Sequence, residues 1–159
     1  MTLKRTLCAS MIIGLVVGLA TLISAQSNLP NPHIVISSPL DGTWTVTVTP
    51  TGPDAPPPFV NVATFFPDGK LASVDVDGTT GLGEWIRVGN RQYALTFVGP
   101  FLLDGHPVNF KVRGNITLSD NSDQFTGPFQ TDVFDAAGNK LFSIVGTVNA
   151  KRVRVEPMS

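Results

Sequence analysis

The sequence contains a single cysteine, Cys8, so the chain beyond residue 25 can form no disulfide bond. It contains only two histidines, and no catalytic or metal-ligand spacing stands out from the rest of the chain. We therefore expect neither a metal nor any other cofactor. Stability has to come from a hydrophobic core, and the 134 residues after residue 25 are enough to form one.

Charged residues are also scarce, at 14% of the chain. After residue 25 there are nine basic and twelve acidic residues, a net charge of −3, so no basic face is available for nucleic acid or for an anionic membrane. No segment after residue 25 shows the spacing of an amphipathic helix. Thirteen prolines and fifteen glycines instead indicate a turn-rich, all-β domain.

The N-terminus has the features of a secretory signal peptide. Lys4 and Arg5 precede an apolar run over residues 11–22, which ends in small residues up to Ala25. The run is shorter than the roughly 18 residues that span a bilayer, so we expect cleavage and no membrane anchor afterwards. The sequence thus predicts a bacterial protein that is secreted or periplasmic, with a signal peptide (1–25), an N-terminal tether (26–40) and one folded domain (41–156).

The segment over residues 106–119, HPVNFKVRGNITLS, alternates apolar and polar side chains and predicts a strand with one buried face. The same pattern recurs between turn signals, giving strands at 43–49, 59–66, 71–76, 84–88, 91–98, 106–119, 124–134 and 141–155. Short connections make neighbouring strands antiparallel. We predict an eight-stranded up-and-down barrel, because closure removes both sheet edges; a two-sheet sandwich is the alternative.

Two features of this prediction concern the barrel interior. A tight turn at Gly89-Asn90 would set the register of the hairpin around it. One inward face would then hold Glu84, Ile86, Val88, Arg91, Tyr93, Leu95 and Phe97. Residues 99–105 are interpreted as an apolar loop at the open end of the barrel, which we call the mouth. Asp75 and Asp77, in contrast, are interpreted as exposed to solvent.

At the opposite end, the floor, closure brings the first strand beside the last. Gly42 and Trp44 then meet Arg152 or Arg154. This combination resembles the lipocalin and wider calycin arrangement, in which an arginine packs over the tryptophan of a Gly-x-Trp motif. That resemblance implies a structural role for these residues. The segment from Gly83-Glu84-Trp85 to Phe97, with the later Gly146, also resembles small exported bacterial barrel proteins of unassigned function.

The function predicted from the residues is binding of an apolar small molecule or a partner, without catalysis. Apolar interiors with a few polar groups at the rim are typical of such sites. The candidate ligand-binding residues are Tyr93, Leu95, Phe97, Phe101, Leu103 and Phe110. A second apolar face on the last strand, with Leu141, Val145 and Thr147, favours association between copies of the chain.

Two alternatives stay open. Glu84, Asp104 and His106 at the mouth could carry out acid–base chemistry, since desolvation raises the pKa of a carboxyl group. The protein would then be an isomerase or cyclase of the allene-oxide-cyclase-like type, which also uses a small calycin barrel. In the other alternative, the ten phenylalanines fill the barrel, and the protein is a structural module.

Overall fold

The protein forms a closed barrel of eight antiparallel strands, each paired with its neighbours in sequence and the last with the first. The computed structural model describes residues 37–158. The strands are β1 (Gly42–Thr51), β2 (Phe59–Phe65), β3 (Lys70–Asp75), β4 (Thr80–Gly89), β5 (Gln92–Leu103), β6 (His106–Leu118), β7 (Gln124–Phe134) and β8 (Lys140–Arg152). The predicted barrel is confirmed, and the sandwich alternative is wrong.

The described residues are organised by strands alone. Among them, no helix is long and apolar enough to cross a membrane. The predicted signal peptide, and the predicted tether as far as residue 36, lie outside the described residues. Residues 37–40 do belong to the described part, and Leu40 is completely buried there. The core of the barrel therefore begins before residue 41.

An aromatic cluster closes the floor of the barrel. Trp44 packs against Phe125 with ring centroids 4.9 Å apart, and Phe65 meets both Phe125 and Trp85 edge-on. The indole nitrogen of Trp44 donates a hydrogen bond to the carbonyl of Leu40 at 3.0 Å. Because the buried polar atom of this tryptophan has a partner, a large aromatic side chain can fill the floor without an unsatisfied group.

Arg152 covers the floor from outside. Its guanidinium carbon lies 4.2 Å from the centroid of the Trp44 ring, and its nitrogens donate to the carbonyls of Pro39, Asp41 and Ser122. Gly42 has a φ of +120°, and a Cβ added there would lie 3.0 Å from the arginine's Nη1.

Arg154, the other candidate partner of Trp44, forms an ion pair with Asp123 instead. Of the two arginines left open by the sequence, Arg152 is therefore the one over the tryptophan.

The predicted register of the β4–β5 hairpin is wrong by one residue. The turn consists of Asn90 and Arg91, with Arg91 at a φ of +61°, and the pairing shifts between Arg87 and Gly89. A one-residue slip exchanges the two faces of a strand. Trp85 consequently points into the core, while Ile86, Val88 and Glu84 point outward.

Arg91 belongs to the same correction. It forms an ion pair with Asp120 at the floor turn and does not point into the barrel.

The apolar segment over residues 99–105 is mostly strand, which corrects the predicted loop. β5 continues to Leu103, and only Asp104 and Gly105, both with positive φ, form the turn to β6. β4 pairs with β5 only as far as Leu82 and Val98. Pro100 lies beyond that point, so its missing N–H leaves no β4 partner unpaired.

Candidate functional site

A cavity of about 580 Å³ occupies the barrel between the aromatic floor and the mouth. The loop residues Pro56, Val76, Asp77 and Thr79 border it at the mouth. The walls are almost entirely apolar and come from all strands except β4. They include Val46 and Val48 of β1, Phe59 of β2, Leu71 of β3, Leu95 and Phe97 of β5, Val112 of β6, Phe129 and Val133 of β7, and Ile144 and Val148 of β8. The volume lies in the range typical of small-molecule sites.

Five of the six candidate ligand-binding residues line this cavity. They are Leu95, Phe97, Phe101, Leu103 and Phe110. The Phe110 ring lies 6.1 Å from those of both Phe97 and Phe101, so the three rings form one aromatic wall toward the mouth. The sixth residue, Tyr93, is buried below the cavity, where its ring packs against Trp85. Whether the five bind a ligand stays a prediction.

A polar patch made of Asn61, Ser73 and Asp75 interrupts the apolar wall on β2 and β3. Asn61 lies directly opposite Asp75 in the ladder, and Ser73 is two residues before Asp75 on the same inward face. The Asn61 side-chain nitrogen donates to Ser73 Oγ at 3.0 Å and to Asp75 Oδ1 at 2.7 Å. Asn61 is 9% exposed and Ser73 5%, so the patch is held by the barrel itself.

Burial raises the pKa of the Asp75 carboxyl above its ordinary value. The hydrogen bond from Asn61 acts in the opposite direction, and the negative charge of Asp77 adds to the increase. Asp77 itself is exposed, and hydrogen bonds from Thr79 lower its pKa. The two carboxylates therefore differ: Asp77 stabilises the β3–β4 turn, whereas Asp75 faces the cavity.

The solvated placement predicted for Asp75 is wrong. The sequence does carry the relevant signal, because Leu71, Ser73 and Asp75 alternate with Ala72 and Val74 on a single strand. Leu71 is buried, and Ser73 and Asp75 follow it by two and four residues, so both lie on the same inward face. Two neighbouring acidic residues beside a glycine turn are nevertheless more typical of a solvated loop.

Glu84, Asp104 and His106 are not brought together. Glu84 points outward, with its side chain 71% exposed and paired with Lys70. Asp104 and His106 are exposed at the β5–β6 hairpin. Glu84 pairs with Thr96, seven residues before the hairpin residue Leu103, a distance of roughly 23 Å along the strand. The predicted placement of Glu84 inside the mouth is therefore wrong, because of the register slip.

A second polar network lies on the outer wall around Asp132. The carboxylate accepts hydrogen bonds from Ser143 at 2.6 Å and Gln130 at 2.9 Å and pairs with Arg113, while Lys140 lies 3.8 Å away. The Ser143 and Gln130 hydrogen bonds, followed by the charges of Arg113 and Lys140, lower the pKa of Asp132. Since every acceptor is engaged by this chain, the network stabilises the β6–β7–β8 wall.

The outward face of β8 is partly apolar, as the sequence indicates. Leu141 and Val145 are about half exposed, and Thr147 is exposed between them and the floor. Self-association through this face stays a prediction, which the mass in solution by light scattering would test.

Comparisons with protein-family models, with curated proteins and with solved structures found no significant match. Within residues 37–158, no group of three or more histidine, cysteine, aspartate or glutamate side chains is arranged to hold a metal ion.

Proposed function

We propose that this chain is an exported, lipocalin-like barrel that binds a small, mainly apolar molecule in its interior. The observation that carries the proposal is the cavity of about 580 Å³, closed by aromatic rings at the floor and lined by apolar side chains. Apolar surface in such a space is removed from water when a ligand enters, which is the main driving force for binding.

The packing of Arg152 over Trp44, beside Gly42, supports the lipocalin-like part of the proposal. Export rests on the sequence features of residues 1–25. A barrel filled by its own phenylalanines is less favoured, because several of the rings border open volume instead of occupying it. The isomerase or cyclase alternative is less favoured, because Glu84 lies on the outer wall, far from Asp104 and His106 at the β5–β6 hairpin.

The test uses N-phenyl-1-naphthylamine, a neutral apolar fluorophore, titrated into the purified chain. We expect saturable binding with enhanced emission. Val112→Trp places an indole in the cavity from β6 and should abolish the signal. The matched control is Val98→Trp, on the outward face of β5, where the valine is 51% exposed; it should bind as the unmodified chain does.

Circular dichroism and the midpoint of thermal unfolding verify that both variants fold. Binding that survives in folded Val112→Trp, or that is lost equally in the control, would contradict an interior site. Native mass spectrometry of protein purified from its own host adds a second measurement, with a co-purified apolar molecule as the expected result.

A further inference from the structure

The charged groups that line the cavity are all of one sign. Asp75 and Asp77 are the only ionisable residues among its lining side chains, and neither lysine, arginine nor histidine contributes to the described walls. Asp77 lies at the edge, where its Oδ1 accepts a hydrogen bond from the Thr79 backbone at 2.8 Å. Asp75 is therefore the carboxylate that a molecule inside the barrel would meet.

The carboxylate of Asp75 has acceptor capacity left over. Its Oδ1 accepts from Asn61, and no side-chain hydrogen bond among residues 37–158 reaches its Oδ2. None of the ion pairs formed within that part of the chain involves Asp75. A half-buried carboxylate without a cationic neighbour contrasts with Asp132, whose oxygens are paired with Arg113 and with neighbouring side chains.

The surroundings hold Asp75 in place without neutralising it. Asn61 is fixed between Ser73 and Asp75 by its two hydrogen bonds, and both Asn61 and Ser73 are more than nine-tenths buried. The same wall continues into Leu71 and Phe59, which are apolar. A ligand with an apolar body and a positively charged, hydrogen-bonding head would thus satisfy both surfaces at once.

From this arrangement we infer that the barrel selects lipophilic amines in their ammonium form, with the head at Asp75 and the tail against the apolar walls of the cavity. The inference rests on the proposed function and names its ligand class. An ammonium group would supply the cation that the wall lacks. A fatty acid of the same length would bring a second negative charge beside Asp75 and Asp77, and like charges at short range repel.

The experiment compares three ligands with the same twelve-carbon tail: dodecylammonium, dodecanol and dodecanoate. Each displaces N-phenyl-1-naphthylamine from the full chain near neutral pH, below its critical micelle concentration. We expect dodecylammonium to bind about tenfold more tightly than dodecanol, and dodecanoate to bind more weakly than either. Asp75→Asn should bring the ammonium and the alcohol to equal affinity.

Asp54→Asn is the matched control, because it removes the same charge from the exposed β1–β2 loop and does not line the cavity. It should leave the preference unchanged. Asp75→Asn preserves an acceptor for Asn61, and circular dichroism verifies its fold; the comparison on the unmodified chain stands without any variant.

Two results would overturn the inference while leaving the proposed function intact. In one, the fluorophore binds but dodecylammonium is no better than dodecanol. In the other, the preference persists in folded Asp75→Asn. Failure of the fluorophore and of all three ligands to bind would overturn the proposed function as well.

Discussion

Arg152 is stacked on Trp44, with its guanidinium carbon 4.2 Å from the centroid of the ring. The same side chain donates hydrogen bonds to three backbone carbonyls, those of Pro39, Asp41 and Ser122. It therefore joins the segment before β1, the β6–β7 turn and the end of β8 around one indole. Burial lowers the pKa of this arginine, but the group remains charged.

We expect Arg152→Ala to lower the free energy of unfolding by about 2–3 kcal/mol, because it removes a cation–π contact and charged hydrogen bonds. Arg154→Ala is the control: it removes only the exposed pair with Asp123 and should change stability by less than about 0.5 kcal/mol. Urea denaturation followed by tryptophan fluorescence measures both. Equal effects of the two substitutions would contradict the role assigned to Arg152.

Two glycines on neighbouring strands should respond differently to alanine. A Cβ at Gly127 would lie 1.9 Å from the carbonyl oxygen of Asn115, a backbone atom that cannot move aside. At Gly114 the nearest atom is 3.3 Å away and belongs to the Leu95 side chain, beside the cavity. We expect Gly127→Ala to cost about 3 kcal/mol and Gly114→Ala less than about 1 kcal/mol, measured by chemical denaturation. A tolerated Gly127→Ala would show that the β6–β7 approach is looser than described.

The effect of Asp75→Asn on stability, relative to the unmodified chain, should depend on pH. Because the folded-state pKa of Asp75 is raised, the folded chain binds its proton more tightly than the unfolded chain does, and stability falls as pH rises from the unfolded to the folded pKa. Removing the charge should therefore raise the thermal midpoint near pH 7 and leave it nearly unchanged near pH 3. A midpoint that is lowered at neutral pH would contradict this account.

Asp132→Asn should show the opposite dependence. Hydrogen bonds and cations lower the folded-state pKa of Asp132, so its stabilising effect is present above the unfolded pKa and is lost as pH falls through the folded pKa. The substitution should lower the thermal midpoint near pH 7, and the difference from the unmodified chain should shrink as the solution is acidified. When the thermal midpoints of Asp132→Asn and Asp75→Asn are measured over the same pH range, each variant is the control for the other.

Glu84→Gln should leave binding of N-phenyl-1-naphthylamine unchanged, because Glu84 lies on the outer wall and not in the cavity. Its loss removes an exposed pair with Lys70, so the midpoint of thermal unfolding should stay nearly unchanged. Weakened binding in Glu84→Gln would instead indicate that Glu84 faces the cavity, which would contradict the register of β4.

The strand pattern was largely predictable, because apolar and polar residues alternate along most strands and turn residues separate them. β4 was not, since Trp85 on one face and Ile86 and Val88 on the other are all apolar, so periodicity does not choose between them. The position of the turn determines which face of β4 points inward. In this turn Arg91 has a positive φ, although asparagine, the type of the neighbouring Asn90, adopts that conformation more readily.

The site was only partly predictable. The apolar lining follows from the inward face of β5, whose orientation the wrong hairpin register happened to preserve for Leu95 and Phe97. The polar patch depends on a contact across strands, because Asn61 and Asp75 lie fourteen residues apart and meet only through the β2–β3 ladder. The sequence around either residue does not indicate that they form a hydrogen bond with each other.

The aromatic floor determines how a ligand could enter and leave the barrel. Trp44, Phe65 and Phe125 pack across one end and close it. A ligand would therefore enter and leave through the opposite opening only. An amphiphile that enters tail-first never has to turn around. Under the inference above, its charged head would then lie near the mouth, at the depth of Asp75, so its orientation would follow from the route of entry as well as from charge.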